Sequence, residues 1–196
     1  MTLIASVSGI RGTIGGEINQ NLTPVDVVAF AAAYGSWIKT KHSSATVVVG
    51  RDARISGPMV QTLVQQTLVS LGIDVIDVGL STTPTVEMEV VRKQAQGGII
   101  ITASHNPKQW NALKLLNNKG EFISAEDGFE LMQYVNDQSY EFVGVDELGK
   151  ISVVTDALTA HMDAILSLPL VNVAAIKAAR FSAVVDGVNS SGGVAV

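Results

Sequence analysis

The chain has no cysteine. No disulfide framework, thiolate metal site or thiol nucleophile can therefore be built from it. Basic residues are few, with 13 Lys and Arg against 18 Asp and Glu and a net charge of −5. A nucleic-acid binder needs a basic face to displace phosphate counterions, so the balance argues against that class. Long hydrophobic runs are missing too: none approaches the ~20 residues of a membrane span. The opening Met1-Thr2-Leu3-Ile4-Ala5-Ser6 has neither the basic stretch nor the apolar run of a signal peptide. Internal repeats and low-complexity tracts are absent. The expectation is a soluble protein of a reducing compartment, most simply cytoplasmic, with no membrane partner.

What is present is enough apolar material for a core. Of 196 residues, 47% are apolar, which argues against disorder and allows one large domain or somewhat more. Apolar runs of strand length alternate with helical patterns. Thr46-Val47-Val48-Val49-Gly50 is β-branched and continuous, like a strand covered on both faces. A helix is expected over 58–71, with Ser56 as its cap and Gly72 as its stop. Strands are expected over 73–78, 97–102 and 111–116, and a helix opened by Thr83 and Pro84 over 83–94. Thr23-Pro24 starts a helix to about residue 39, and Ser124 with Asp127 resembles a capping box for a helix over 125–135. This alternation predicts an α/β fold: a three-layer α/β/α domain with a mixed, mainly parallel sheet.

The polar segment 136–150 reads as a linker or irregular crossover. Beyond it, helices are expected over 156–166 and 173–180, and a strand over 182–186. The glycine-rich Asn189-Ser190-Ser191-Gly192-Gly193 then looks like the turn of a strand-turn-helix unit that is begun and not completed. The expected organisation is one domain over 1–140, followed over 141–196 by a linker and the truncated start of a second, similar domain.

In an open α/β sheet, ligands bind beyond the carboxyl ends of strands. Three loops are candidates. Thr102-Ala103-Ser104-His105-Asn106-Pro107 follows a buried strand and offers a hydroxyl, an imidazole and an amide. Ser104 and His105 are neighbours and tend to point apart, which disfavours a Ser-His hydrolase dyad. A phosphoserine carrier suits the loop better, since it needs an exposed Oγ, N–H donors and a nearby cation. On composition alone the same residues also make an ordinary polar turn. Ser8-Gly9-Ile10-Arg11-Gly12-Thr13-Ile14-Gly15-Gly16 combines glycines with a guanidinium suited to phosphate, though its glycine spacing is not a dinucleotide fingerprint and a flexible N-terminal turn would read the same. In Gly50-Arg51-Asp52-Ala53-Arg54, Asp52 lies between two arginines, a pattern that suits loop support more than direct phosphate contact. Lys114 can serve as a general base or acid, or simply face solvent. His42 and His161 read as surface residues, Asn21-Leu22-Thr23 as a helix cap rather than a glycosylation site, and Asp186-Gly187-Val188-Asn189 has too few carboxylates for Mg²⁺.

Taken together, the loops resemble the α-D-phosphohexomutases, the phosphoglucomutase, phosphomannomutase and phosphoglucosamine mutase family. Residues 102–107 are similar to its phosphoserine signature, Ser8-Gly9-Ile10-Arg11-Gly12 to its Gly-Ile-Arg-Gly element and Gly50-Arg51-Asp52-Ala53-Arg54 to its Gly-Arg-Asp-x-Arg element. The resemblance implies a phosphosugar mutase that moves phosphate between C1 and C6 of a hexose phosphate through a phosphoserine and a bisphosphorylated sugar. It implies Ser104 as phosphoryl carrier, Lys114 as proton-transfer group, His105 and Asn106 as site residues, Arg11 as phosphate ligand, and Mg²⁺ held in part by the Ser104 phosphate. Asn111-Ala112-Leu113-Lys114 departs from the family's usual Asn-Gly-x-Lys, and the family's three-carboxylate metal loop has no counterpart in the chain. The chain by itself is therefore expected to be inactive as a mutase and to self-associate through its unfinished boundary. A sugar-phosphate-binding module without chemistry is the alternative.

Overall fold

The computed structural model describes residues 1–6 and 9–196. In chain order the elements are β1 (Ile4–Ser6), β2 (Gly9–Thr13), α1 (Pro24–Lys41), β3 (Thr46–Arg51), α2 (Gly57–Ser70), β4 (Asp74–Leu80), α3 (Thr83–Arg92), β5 (Gly97–Ile101), β6 (Trp110–Leu116), α4 (Ala125–Asp137), a 3-10 turn (Val145–Glu147), β7 (Ile151–Val153), α5 (Ala157–Leu166), α6 (Val173–Ala179) and α7 (Gly192–Ala195).

The strands form one sheet in the order β1-β2-β6-β5-β3-β4-β7. Pairings β5–β3, β3–β4 and β4–β7 are parallel, while β1–β2, β2–β6 and β6–β5 are antiparallel. The expected mixed sheet thus divides into a parallel half and an antiparallel half. Alternation along each strand sends side chains to two different cores. Val47, Val49, Ile99, Ile101, Leu113 and Leu115 pack with Phe30, Tyr34, Ile38, Val64 and Leu68 of α1 and α2, and with Leu131 of α4. Val48, Ile100 and Leu116 face the other way, against Val86 and Val90 of α3 and Ala157 of α5. Helices on both faces of the sheet make the three-layer arrangement expected from the sequence.

Local signals set several boundaries. Thr23 and Asp26 form a complete capping box at α1, and Ser124 and Asp127 form one at α4. Gly72, with φ of 76°, closes α2. Ser56 does not cap α2 as expected. It already has helical dihedrals, and its hydroxyl accepts from Asn111 Nδ2 at 2.9 Å.

Three further segments differ from the sequence-based expectation. Residues 9–13 form a paired strand rather than a turn, because the glycines let β2 press against β6: a Cβ on Gly9, whose φ is 113°, would lie 2.3 Å from the Leu113 carbonyl oxygen. Directly after the expected linker over 136–150, where no strand is expected, β7 adds to the sheet edge beside β4. The expected strand over 182–186 does not form: it joins no ladder among the described residues, and Val184 is fully exposed. An extended run with no neighbour has nothing to complete its backbone hydrogen bonds.

Candidate functional site

Strands β3 and β5 run parallel, so the loops that leave their carboxyl ends lie side by side. The loop after β5 turns back into antiparallel β6, with Ile101 opposite Leu113 and Ile100 opposite Lys114. Ser104 sits at the tip of this return, exposed, with φ of 52°. That left-handed conformation is uncommon for a side chain other than Gly, Asn or Asp, and costs on the order of 1 kcal/mol. The surrounding contacts hold it there.

Arg54 makes most of those contacts. Its Nη1 donates to the carbonyl oxygens of Pro107 at 2.9 Å and Trp110 at 3.0 Å, and its Nη2 donates to those of Ser104 and Asn106 at 2.7 Å each. Its Nε donates to Asp52 Oδ2 at 3.2 Å. Every N–H of the guanidinium is thereby used on the loop or on its own carboxylate partner. Asp52 also accepts from the Arg54 backbone N–H at 2.9 Å and from the Thr102 hydroxyl at 2.6 Å. Arg51 is similarly occupied, donating through Nε to Gln61 Oε1 at 2.9 Å and through Nη1 to the Asp52 carbonyl at 3.0 Å. Gln61 in turn donates to Asp77 Oδ1 at 2.7 Å. Asp52 and Arg54 thus hold the loop, with no N–H of Arg54 left for a ligand, and Arg51 gives two of its N–H groups to Gln61 and the Asp52 carbonyl.

A cavity of about 250 Å³ opens beside the loop, lined by Gly9, Arg11, Thr102, Ala103, Ser104, His105, Asn106, Ala112, Lys114 and Phe122. The sheet alternation explains why Arg11 and Lys114 reach it. Ile10, Leu113 and Leu115 point into the core beneath α1 and α2, so Arg11 and Lys114 project from the opposite face. Arg11 lies opposite Ala112, diagonal to Lys114. The Lys114 ammonium stands 5.8 Å from the centroid of the Phe122 ring. Neither cation forms an ion pair among the described residues, and no carboxylate lines the cavity. Two free cations, a histidine and an exposed hydroxyl make a site for an anion. Burial raises the Glu87 carboxyl above its ordinary value, and the Lys114 charge pulls it the other way.

The structure therefore gathers Arg11, Ser104, His105, Asn106 and Lys114 around one cavity and puts Arg51, Asp52 and Arg54 behind it. Ser8, part of the N-terminal motif, lies outside the described residues. His161 is apart from the cavity, with Nδ1 2.9 Å from the Thr85 hydroxyl. No cluster of three or more His, Cys, Asp or Glu side chains capable of holding a metal occurs among the described residues. None of the described helices is long and apolar enough to cross a membrane. The sequence reading assigned no role to Thr102 or Phe122. The signal for Thr102 is a threonine directly after a strand and two residues before Ser104, a spacing at which hydroxyls bond the backbone; for Phe122 the sequence offers none, since it reaches Lys114 only through the turn after β6.

Comparison with known proteins identifies the family and the fold. Residues 3–141 match the family model for phosphoglucomutase/phosphomannomutase, α/β/α domain I. A phosphoglucomutase/phosphomannomutase of Thermococcus kodakarensis is 34% identical over 184 residues, covering 92% of this chain and 40% of the relative. A phosphoglucosamine mutase of Alkaliphilus metalliredigens is 32% identical over 166 residues, covering 83% of this chain and 36% of the relative. The chain thus spans well under half the length of these relatives. A crystal structure of a phosphoglucomutase/phosphomannomutase family protein from Burkholderia thailandensis shares the fold with a TM-score of 0.69 at 24% identity, over 83% of this chain and 35% of that one. By its sequence match and its sheet, the chain belongs to the phosphoglucomutase/phosphomannomutase family and carries that family's α/β/α domain I.

Proposed function

We propose that Ser104 is the phosphoryl carrier of a phosphohexomutase, and that residues 1–140 are its phosphoserine domain while 141–196 are a linker and the opening of the next domain. The observation that carries this reading is the position of Ser104: it is an exposed residue lining a cavity that it shares with the cations Arg11 and Lys114 and with no carboxylate. The carrier's Oγ–P bond breaks as a bond forms between phosphorus and a hydroxyl oxygen of the hexose phosphate. Lys114, once it has given up a proton and stands as the neutral amine, takes the proton of that hydroxyl and returns it to the departing oxygen in the reverse step, while Arg11 and the His105 and Asn106 side chains hold the charged oxygens. Reversal at the other end of the bisphosphorylated sugar returns a phosphoryl group to Ser104 and leaves phosphate moved between C1 and C6.

Mg²⁺ is the cofactor the family implies. The cavity lining offers it no carboxylate, so these residues do not by themselves make its site. A phosphate on Ser104 would be one ligand, and the others would come from outside this chain. For that reason the chain alone is expected not to turn over hexose phosphates through the full cycle; a single phosphoryl transfer to Ser104, with Mg²⁺ held by phosphate oxygens and its own waters, is the partial reaction left to it. The same shortage of metal ligands favours the second reading, a module that binds sugar phosphate without chemistry.

Intact mass spectrometry separates the two. After incubation with a hexose 1,6-bisphosphate and Mg²⁺, the chain should gain about 80 Da, the mass of one phosphoryl group. Ser104→Ala should abolish the gain while leaving bisphosphate binding within a few-fold. Binding with no mass gain in the parent chain would establish the non-catalytic module instead.

A further inference from the structure

Thr102 is 8% exposed and lies directly after β5, where its hydroxyl bridges two partners. It donates to Asp52 Oδ2 at 2.6 Å and accepts from the Ser104 backbone N–H at 3.0 Å. A hydroxyl has one proton, and an ionised carboxylate can only accept. Asp52, tied at 3.2 Å to the Arg54 guanidinium, therefore fixes the direction of the Thr102 proton. The lone pair left on Thr102 Oγ1 is the one that meets the Ser104 N–H. Arg54 takes the carbonyl of the same residue. Ser104 is thus held on both sides of its Cα, by an acceptor at its N–H and a donor at its C=O, while its φ stays at 52°.

From this geometry we infer that Thr102 is a positioning residue for Ser104: its hydroxyl, polarised by Asp52, locks the left-handed backbone that aims the serine Oγ into the cavity. The inference rests on the reading of Ser104 as phosphoryl carrier. It goes beyond loop support, because Thr102 acts on the orientation of one reacting atom, and its hydroxyl is spent on Asp52 and the Ser104 N–H. In-line phosphoryl transfer depends on that orientation, and small misplacements of a reacting atom cost large factors in rate.

Thr102→Val keeps the shape and removes the hydroxyl, whereas Thr102→Ser keeps the hydroxyl. Two measurements on the 196-residue chain decide the matter. Amide hydrogen exchange at Ser104, followed by NMR, should speed up about tenfold in Thr102→Val, the loss expected for one hydrogen bond. In Thr102→Ser it should return to within about twofold of the parent rate on the same grounds. Phosphoryl uptake from a hexose 1,6-bisphosphate with Mg²⁺ should fall about tenfold or more in maximal rate in Thr102→Val, with half-saturation changed less than about twofold, and recover in Thr102→Ser. Unchanged protection of the Ile100 amide reports that the strand is intact in both variants. Exchange at Ser104 that is the same in Thr102→Val as in the parent overturns the inference, as does Thr102→Ser behaving like Thr102→Val. If the parent takes up no phosphate at all, the carrier reading fails, and the exchange data alone decide whether Thr102 locks the Ser104 backbone.

Discussion

Arg54→Lys is the substitution that most directly tests how the loop around Ser104 is held. Charge is conserved, so any loss reports geometry. Arg54 makes five side-chain hydrogen bonds, one to Asp52 and four to the carbonyls of Ser104, Asn106, Pro107 and Trp110. A lysine ammonium carries three donors at one point and cannot reproduce a planar fork, so at least two of these contacts are lost. Hydrogen bonds to a charged group contribute about 1.5–3 kcal/mol each, and water reaching the outer carbonyls recovers part of that, so a loss of about 3 kcal/mol is expected. For a chain of this size that is a fall in Tm of roughly 6–12 °C. Arg51→Lys is the internal control. Arg51 makes two such contacts, to Gln61 and the Asp52 carbonyl, of which lysine can keep one. Its loss should stay near 1 kcal/mol, or roughly 2–4 °C. Thermal denaturation followed by circular dichroism, with urea titration to check that the m value is unchanged, measures both. If Arg54→Lys melts within about 2 °C of the parent, or if Arg51→Lys costs more, the clamp is not what holds the loop.

Two other expectations follow from the core. Gly97→Ala should cost about 2 kcal/mol or more, because the new methyl would lie 2.1 Å from the Tyr34 hydroxyl and 2.9 Å from the Leu116 carbonyl oxygen; a denaturation midpoint equal to the parent's would show that the sheet relaxes freely at this point. Tyr34 is fully buried and its hydroxyl donates to the Leu116 carbonyl at 2.7 Å. Burial pushes its phenol far above the ordinary value of 10.0, with the Gly98 hydrogen bond opposing. Its neutral form is favoured by folding, so this contribution is complete below pH 10, the ordinary value, and declines as pH rises beyond it. Of the three tyrosines, Tyr34 should give no phenolate absorbance until the chain unfolds in alkali; reversible ionisation of all three in the folded protein would contradict its burial.

The sequence revealed most of the parallel half of the fold. Continuous β-branched runs such as Val47-Val48-Val49 have only one stable environment, a strand covered on both faces, and helices α1 and α4 carried complete capping boxes. The antiparallel half was harder to read. In β2, three of the residues between Gly9 and Thr13 are Gly9, Gly12 and the exposed Arg11, so neither alternation nor β propensity marks it; the strand exists because β6 is there to pair with it. The three residues of β7 are all exposed and become a strand only by joining β4. The opposite error, the strand expected over 182–186, has the same cause: β propensity is present and the ladder is absent. At the site, residue types were legible and geometry was not. The motifs around Arg11, Asp52 and Ser104 gave the cast, but the cavity depends on β2 and β6 presenting Arg11 and Lys114 from one face. Ser56 likewise looked like a cap until Asn111, distant in sequence, claimed its hydroxyl.

The return of β5 into β6 has a further mechanical meaning. Ser104 and Lys114 sit on one hairpin, with Ile100 and Lys114 in register and Arg54 pinning its tip to the neighbouring loop. Their spacing is written into a single local piece of sheet, which no hinge elsewhere in a larger protein can alter. Under the proposed function, motions that bring a sugar phosphate to the cavity belong to the parts that approach this hairpin, and the hairpin carrying the serine and the lysine is the stationary reference for them.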